Sequence, residues 1–283
     1  RSSDLAALGA RLVVSGGLEP DTRWRGRITE FELGGTPAGD LALAAPLAVT
    51  LDPERRITTD RGCLEAGQAA LCVSFDGFGS GAGALKAQLS GLPLALAGPY
   101  LPSTVELEGA LGGEADIAYA ASSGGAEAVP VGTVELAIDG GGVRLTADAG
   151  DTVRIPMQRG DAQVNLAPDR YSGDVALALP GWLTLAATGE RDRGGSGALN
   201  LSFDVDLLDL AWLENFVPEL TGSEGRAIAV GAITGTLEAP VVTARVSTRE
   251  AHLRVPEAGV DLDDLELEVV TDPSRRVTID GRL

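Results

Sequence analysis

A two-residue hydrophobic period runs through residues 241–270, VVTARVSTREAHLRVPEAGVDLDDLELEVV, and it limits the folds open to the chain. Val242, Ala244 and Val246 alternate with Thr243, Arg245 and Ser247; Ala251, Leu253 and Val255 alternate with His252 and Arg254; Leu265, Leu267 and Val269 alternate with Glu266 and Glu268. Successive side chains of a strand point to opposite sides of the pleat, so each segment reads as a strand with one apolar and one wet face. Pro256, Gly259 and the region of Asp263 fall where strands end or turn. Most of the remaining chain repeats this pattern.

The 283 residues could bury a sizeable core, and length alone is compatible with one or two domains. Aromatic residues are scarce, so the apolar faces consist of Ala, Val and Leu, while 38 Gly and 15 Pro supply turns. A net charge of −19 argues against nucleic acid, whose phosphates need a basic surface. It also disfavours attachment to anionic lipid heads, and by itself reads as serving solubility or a salty habitat. No apolar stretch approaches the roughly 20 residues of a membrane helix, and no signal peptide is visible. The chain opens at Arg1 rather than Met, so the expectation is a segment of a longer protein whose anchor or targeting signal lies elsewhere.

Short strand candidates come first: RLVVSGGL (11–18), RWRGRITEFEL (23–33) and LALAAPLAVTL (41–51). In the second, the spacing of Trp24, Ile28 and Phe31 is not strictly alternating, but Gly26 and the β-branched residues favour a strand, or a bulged one, over a short helix.

RGCLEAGQAALCV holds the two cysteines, Cys63 and Cys72. A two-residue turn at Gly67-Gln68, with Gly first, suits a type II′ hairpin and sets Ala66 opposite Ala69 and Cys63 opposite Cys72. On a non-hydrogen-bonded rung the Cα atoms would be about 4.5 Å apart, a spacing that accepts a disulfide and implies an oxidising compartment such as the periplasm. The alternative is a pair of free buried thiols. Without a nearby His the pair makes a poor zinc site.

Gly77, Gly79 and Ala82 in DGFGSGAGAL (76–85) have a G-x-G-x-x-A spacing. A dinucleotide loop needs a helix after it, whereas LKAQLSGLPL alternates like a strand, so the segment reads as a hairpin loop.

LPLALAGPYLP (92–102) and LDLAWLENFVP (208–218) look like two copies of one element, with Leu94, Leu101 and Pro102 matching Leu210, Val217 and Pro218 at an offset of 116 residues. Leu210, Leu213, Phe216 and Val217 mark one face of a short helix that Pro218 helps to end. Either a helix plugging a sheet face or an apolar connector fits. VRIPM echoes HLRVP at an offset of 100 residues, so a single segment (1–283) with two similar modules in series, about 1–125 and 126–283, is expected. Between the copies runs a meander: TVELAID, VRLTADA, TVRIPM, AQVNLA, DVALALP and WLTLAATG. So much strand with so little helix points to a sandwich, barrel, solenoid or elongated open sheet.

The catalytic inventory is thin. His252 is the sole histidine and sits on the polar face of an alternating strand. No G-x-S-x-G, no H-E-x-x-H and no nucleophile–base pair is visible. DLDDLELE (261–268) lacks the spacing of EF-hand or β-roll calcium loops and reads as a solvated strand face. The expectation is a protein without catalytic residues, cofactor or metal.

The motifs in succession carry a family resemblance. GTLEAPVVTARVSTREAHLRVPEAGVDLDDLELEVV resembles the C-terminal region, a domain of unknown function, of the TamB family, the translocation and assembly module proteins of Gram-negative bacteria. Gly235, Pro240, Leu253, Arg254, Val255, Pro256, Gly259 and Leu262 stand in the places of its pattern. WRGRITEFEL, APLAVTL and CLEAGQAALC are similar to its W-x-G segment and cysteine hairpin, and LPLALAGPYLP and LAWLENFVP to its recurring short helical segments. AsmA-like and intermembrane bridge lipid-transfer proteins share the same alternation.

The resemblance implies an all-β fold, an elongated curled antiparallel sheet (β-taco) with an apolar groove and one or two short helical segments. The scarcity of large aromatics suits an incompletely filled groove better than a sandwich of two interlocking sheets. Acyl chains suit such a groove, at about 0.8 kcal/mol per buried CH₂. The implied function is a periplasmic conduit carrying phospholipid between inner and outer membranes, with a TamA-like outer-membrane barrel as partner and an inner-membrane helix outside this segment. A second reading, assembly of outer-membrane β-barrel and autotransporter proteins, would hold an unfolded segment by strand addition. A third is a structural β-repeat with a dry core. Alternation nominates the groove lining as Val134, Leu136, Ile138, Val143, Leu145, Val175, Leu177, Leu179, Leu199, Leu201, Phe203, Leu253, Val255, Leu265 and Leu267.

Overall fold

A computed structural model describes residues 9–36, 39–77, 82–120, 129–146, 152–193, 197–215, 219–236, 238–263, 266–271 and 276–282. The fold is antiparallel β almost throughout; the helical turns among the described residues are short 3₁₀ segments at Leu94–Tyr100, Leu210–Asn215 and Pro256–Ala258. The first two begin at residues 116 positions apart, the offset that separates the two apolar motifs in the sequence. The 3₁₀ winding tightens what the spacing of Leu210 and Leu213 offers as a helix; Phe216, Val217 and Pro218 lie outside the described residues.

The chain forms two compact units. One comprises Arg1–Leu96, Ala110–Asp139 and Asn165–Pro168; the other comprises Ala97–Gly109, Gly140–Val164 and Asp169–Leu283. Strands β9 (Val105–Ala120), β10 (Val129–Thr146) and β12 (Arg159–Leu166) contribute residues to both.

In the first unit, β1 (Gly9–Leu18) pairs with β2 (Trp24–Thr36). One part of β2 pairs with β3 (Gly39–Leu43) and the other with β4 (Leu47–Leu51). β3 pairs with β6 (Gly62–Ala66), and β4 with β5 (Ile57–Thr59). Both β5 and β6 then meet β7 (Ala69–Gly77), which continues through β8 (Gly83–Pro93) to β9. The irregular spacing of Trp24, Ile28 and Phe31 has a local cause. The register shifts between Val13 and Val14, so that Glu30 and Ile28 face consecutive partners and Thr29 is the extra residue. The bulge lets Trp24 and Ile28 share a face with Phe31, although an odd interval separates the last two. Trp24 lies across Gly26 and Gly16, where a β-carbon at either glycine would collide with the indole. This is the reason for the glycine two residues after the tryptophan.

The β6–β7 hairpin has Ala66 opposite Ala69 and Cys63 opposite Cys72. Gly67 has φ 61°, as the first central position of a type II′ turn requires. Cys63 and Cys72 are joined in a disulfide, with 3.9 Å between Cα atoms. Gly83 opens strand β8 rather than a helix, which removes the context a dinucleotide loop would need. Residues 78–81 of that glycine-rich segment lie outside the described residues.

In the second unit, β10 pairs with β11 (Thr152–Pro156). A continuous antiparallel run links β13 (Arg170–Leu179), β14 (Leu183–Asp192), β15 (Leu199–Leu207), β16 (Thr221–Gly235) and β17 (Pro240–Val255). One stretch of β17 pairs with β18 (Val260–Asp263) and another with β19 (Glu266–Thr271), which pairs with β20 (Val277–Arg282). Register shifts in β16 opposite Arg249–His252 coincide with positive φ at Gly225 and Glu250. The irregularity returns Ala251 to the apolar side, where it is buried beside Leu207.

Candidate functional site

Cross-strand partners in an antiparallel sheet share a face, so the register states which side chains stand together. In the second unit Val175, Leu177 and Leu179 of β13 face Ala187, Leu185 and Leu183 of β14. These in turn face Phe203, Val205 and Leu207 of β15. The row continues through Gly231, Ala229 and Ala227 of β16 to Ala244, Val246 and Thr248 of β17. One apolar face therefore extends over five strands without interruption.

Coverage of this face is graded along the strands. Where β13 turns into β14, two clusters close over it. Val105, Val143, Leu145, Ile155 and Leu179 are buried together, with Leu101, Met157, Trp182 and Leu183 packed against them. Beside them Leu207, Leu210 and Ala251 form a second cluster against Leu183, Ala227 and Leu253. Leu210 opens the 3₁₀ segment after β15 and is only 1% exposed, so this segment acts as a plug at that end of the face. Glu214, in the same turn, accepts the Ser223 backbone N–H at 2.6 Å and ties the plug to β16.

Farther along the strands no layer of described residues covers the face. Leu177, Leu185, Leu199, Leu201, Phe203 and Val205 are half-buried, and Val175 is 44% exposed. In a sandwich the opposing sheet would bury such a row almost completely. The nominated residues thus divide. Val175, Leu177, Leu199, Leu201 and Phe203 stand on the open part of the face, and Leu253 and Val255 are half-buried on β17. Val143, Leu145 and Leu179 sit inside the closed cluster, buried together with Val105 and with Ile155, the cross-strand partner of Val143. Val134, Leu136 and Ile138 belong to the first unit, half-buried on β10; Leu136 lies over Gly113 of β9. Leu267 stands opposite Val246 in register. Leu265 lies outside the described residues.

The opposite face is polar and carries several ion pairs. Arg226 donates to Asp206, with 2.6 Å from Nε, and this partner holds the guanidinium above its usual range. Arg154 and Arg144 both reach Glu108, and the hydrogen bond from Arg154 holds that carboxyl below the usual range. Arg159 does the same for Asp161. In the first unit the polar hollow lined by Arg61, Ser74, Lys86, Gln88, Glu114 and Glu135 is likewise mixed in sign, with Lys86 3.0 Å from Asp116. His252 has Nδ1 2.8 Å from Asp263 and Nε2 3.1 Å from Asp261, on the polar face of the β17–β18 hairpin. Among the described residues no group of three His, Cys, Asp or Glu side chains is placed to hold a metal. No helix of the described residues is long and apolar enough to cross a membrane.

Arg191 is absent from the nominated lining, although the alternation of LTLAATGER carries the signal: every second residue from Leu183 reaches Arg191 on the apolar side. It faces Tyr171 on one neighbouring strand and Leu199 on the other.

An antiparallel sheet with one polar face and one apolar face that the described residues cover only in part defines a class of protein that presents hydrophobic surface along a sheet. The chain belongs to the TamB family: the family model for the TamB N-terminal domain matches residues 2–247. This match corrects the placement drawn from the motifs of residues 235–262, which resemble the C-terminal region. Alternating strands with short apolar turns recur in this chain, so such motifs identify the family better than the position within it. The family is one of envelope proteins with a structural or transport role. No solved structure matches the chain.

Proposed function

We propose that this chain is part of a hydrophobic conduit that carries phospholipid between the inner and outer membranes across the periplasm, together with an outer-membrane barrel of the TamA type. The observation that carries the reading is the apolar face of β13–β17, which no layer of described residues covers around Val175, Leu185 and Phe203 and which Leu210 plugs at one end. Acyl chains are the cargo such a face favours. They need no specific polar partner, and each methylene removed from water contributes about 0.8 kcal/mol. The disulfide in the β6–β7 hairpin fits an oxidising compartment.

The test is lipid co-purification measured by mass spectrometry, with charge placed on either side of one strand. Leu185→Asp should remove most bound phospholipid, while Thr184→Asp on the polar face should leave it unchanged. Equal lipid content in both variants and the wild type would refute the conduit.

One observation favours a second reading, assembly of outer-membrane proteins by strand addition. β1 is exposed at every residue, and Leu12, Val14 and Leu18 are among its exposed side chains. An exposed apolar edge strand is a template for another strand. Crosslinking from position 12 to a nascent β segment, in preference to lipid, would favour that role.

A further inference from the structure

The uncovered apolar face ends in a cationic corner. On β13–β15 its rows are Tyr171, Gly173, Val175, Leu177 and Leu179; Arg191, Gly189, Ala187, Leu185 and Leu183; and Leu199, Leu201, Phe203, Val205 and Leu207. Arg191 is the single cation in these rows of described residues, and the rows contain no carboxylate. Four arginines of the polar face differ from it. Arg170 lies 3.4 Å from Glu190, and Arg226, Arg159 and Arg154 each hold a carboxylate.

Arg191 is half-buried, and its Nε is out of contact with solvent and has no hydrogen-bond partner among the described residues. A buried donor without an acceptor costs roughly 1–3 kcal/mol, more when charged, so its retention needs an explanation. Gly197 flanks the guanidinium, 3.7 Å from Nη2 to the point where a β-carbon would stand. At the same corner the Arg193 guanidinium sits 5.1 Å from the centroid of the Tyr171 ring, held by a cation–π contact. The Arg193 backbone N–H donates to the Asp169 carbonyl at 2.9 Å, which fixes the chain beside the tyrosine.

We propose that Arg191, with Arg193 stacked on Tyr171, forms the seat for the phosphate ester of a lipid whose acyl chains lie on the Val175–Ala187–Phe203 part of the face. The inference rests on the proposed conduit and adds to it a polarity: the phosphate lies at the Tyr171–Arg191 end, and the chains point toward the plug at Leu210. Guanidinium and phosphate oxygens form charge-assisted, often bidentate hydrogen bonds, which a neutral lipid cannot reciprocate.

The test compares two radiolabelled lipids with the same oleoyl chains, dioleoyl phosphatidic acid and dioleoylglycerol, taken up by the 283-residue chain from detergent micelles and retained on gel filtration. The wild type should prefer the phosphate-bearing lipid. Arg191→Gln should weaken that lipid about tenfold, the loss of one charge-assisted hydrogen bond, and leave dioleoylglycerol unchanged. Arg191→Lys should keep most of the preference. Unaltered melting temperatures show that the variants fold. Equal retention of both lipids by wild type and Arg191→Gln overturns the headgroup seat while leaving the apolar face standing. Retention of neither lipid by the wild type overturns the conduit and the seat together. Displacement of phosphatidic acid by millimolar inorganic phosphate also overturns the seat, as the mark of a site for free anions.

Discussion

The ring of Phe203 lies across Gly231 on the neighbouring strand, so close that a β-carbon at Gly231 would stand 2.8 Å from Cε1 and nearer still to Cζ. The glycine gives the largest side chain of the open row a place to lie flat on the sheet. A large residue opposite a glycine also lowers the profile of the face, which suits a surface that is occupied from outside rather than interlocked with a second sheet.

Gly231→Ala should therefore lift the ring and destabilise the second unit by about 1–3 kcal/mol, the usual cost of overpacking. Urea denaturation measures the loss. Adding Phe203→Leu should restore only the part due to the ring, since a β-carbon would also stand 2.7 Å from the Thr243 carbonyl oxygen.

Leu210→Ala should cost about 2–5 kcal/mol, because Leu210 is 1% exposed and its cluster with Leu207 and Ala251 would be left with a cavity. Leu185→Ala, on the half-buried row, should cost less than half as much. Similar losses from the two substitutions would mean that the row around Leu185 is covered in solution.

Reduction of Cys63–Cys72, or Cys63→Ser with Cys72→Ser, should destabilise the first unit by about 2–3 kcal/mol, the loop entropy of a cross-link spanning nine positions. Amide exchange of β6 and β7 with and without reductant would show the loss localised to that hairpin and its neighbours.

The pKa of His252 is raised above 6.5, first by the hydrogen bond with Asp263 and then by the charge of Asp261, against the opposing Arg254. Glu224 stands opposite it on β16. With carboxylates at both ring nitrogens, only the imidazolium can donate to both. A raised folded-state pKa means that this contribution is fully present below about pH 6.5 and is lost as pH rises through the folded value. Proton NMR of the single histidine should give a titration midpoint above that of a free imidazole side chain, falling in Asp263→Asn. The stability of wild type relative to His252→Gln should decline over the same interval.

Several elements are legible in the residues themselves. The β6–β7 register follows from Gly67-Gln68 alone, because a two-residue hairpin leaves a single way to align its strands. The alternation in DVALALP, WLTLAATG and LNLSFDVDL places Leu177, Leu185 and Phe203 on one face for the same local reason. The bulge at Thr29 is readable as the odd interval between Ile28 and Phe31, but its partner shift at Val13–Val14 is not. Nor is the return of Ala251 to the apolar side, which depends on the irregular pairing of β17 with β16 around Gly225 and Glu250.

What the sequence determined by itself is the side of the sheet on which each residue stands, since a period of two is a property of consecutive backbone dihedrals and needs no distant partner. It also marked where strands turn, through Gly and Pro. Only the tertiary structure decided what covers each side. Val143 and Leu145 alternate as cleanly as Leu199 and Leu201, yet the first pair is buried in a cluster with Val105, Ile155 and Leu179 while the second remains half-open. Burial is set by residues brought together from far along the chain, and a local periodicity holds no record of them. The same holds for Arg191: alternation puts it on the apolar face, but only the assembled sheet shows a guanidinium donor without an acceptor among the described residues where that face ends.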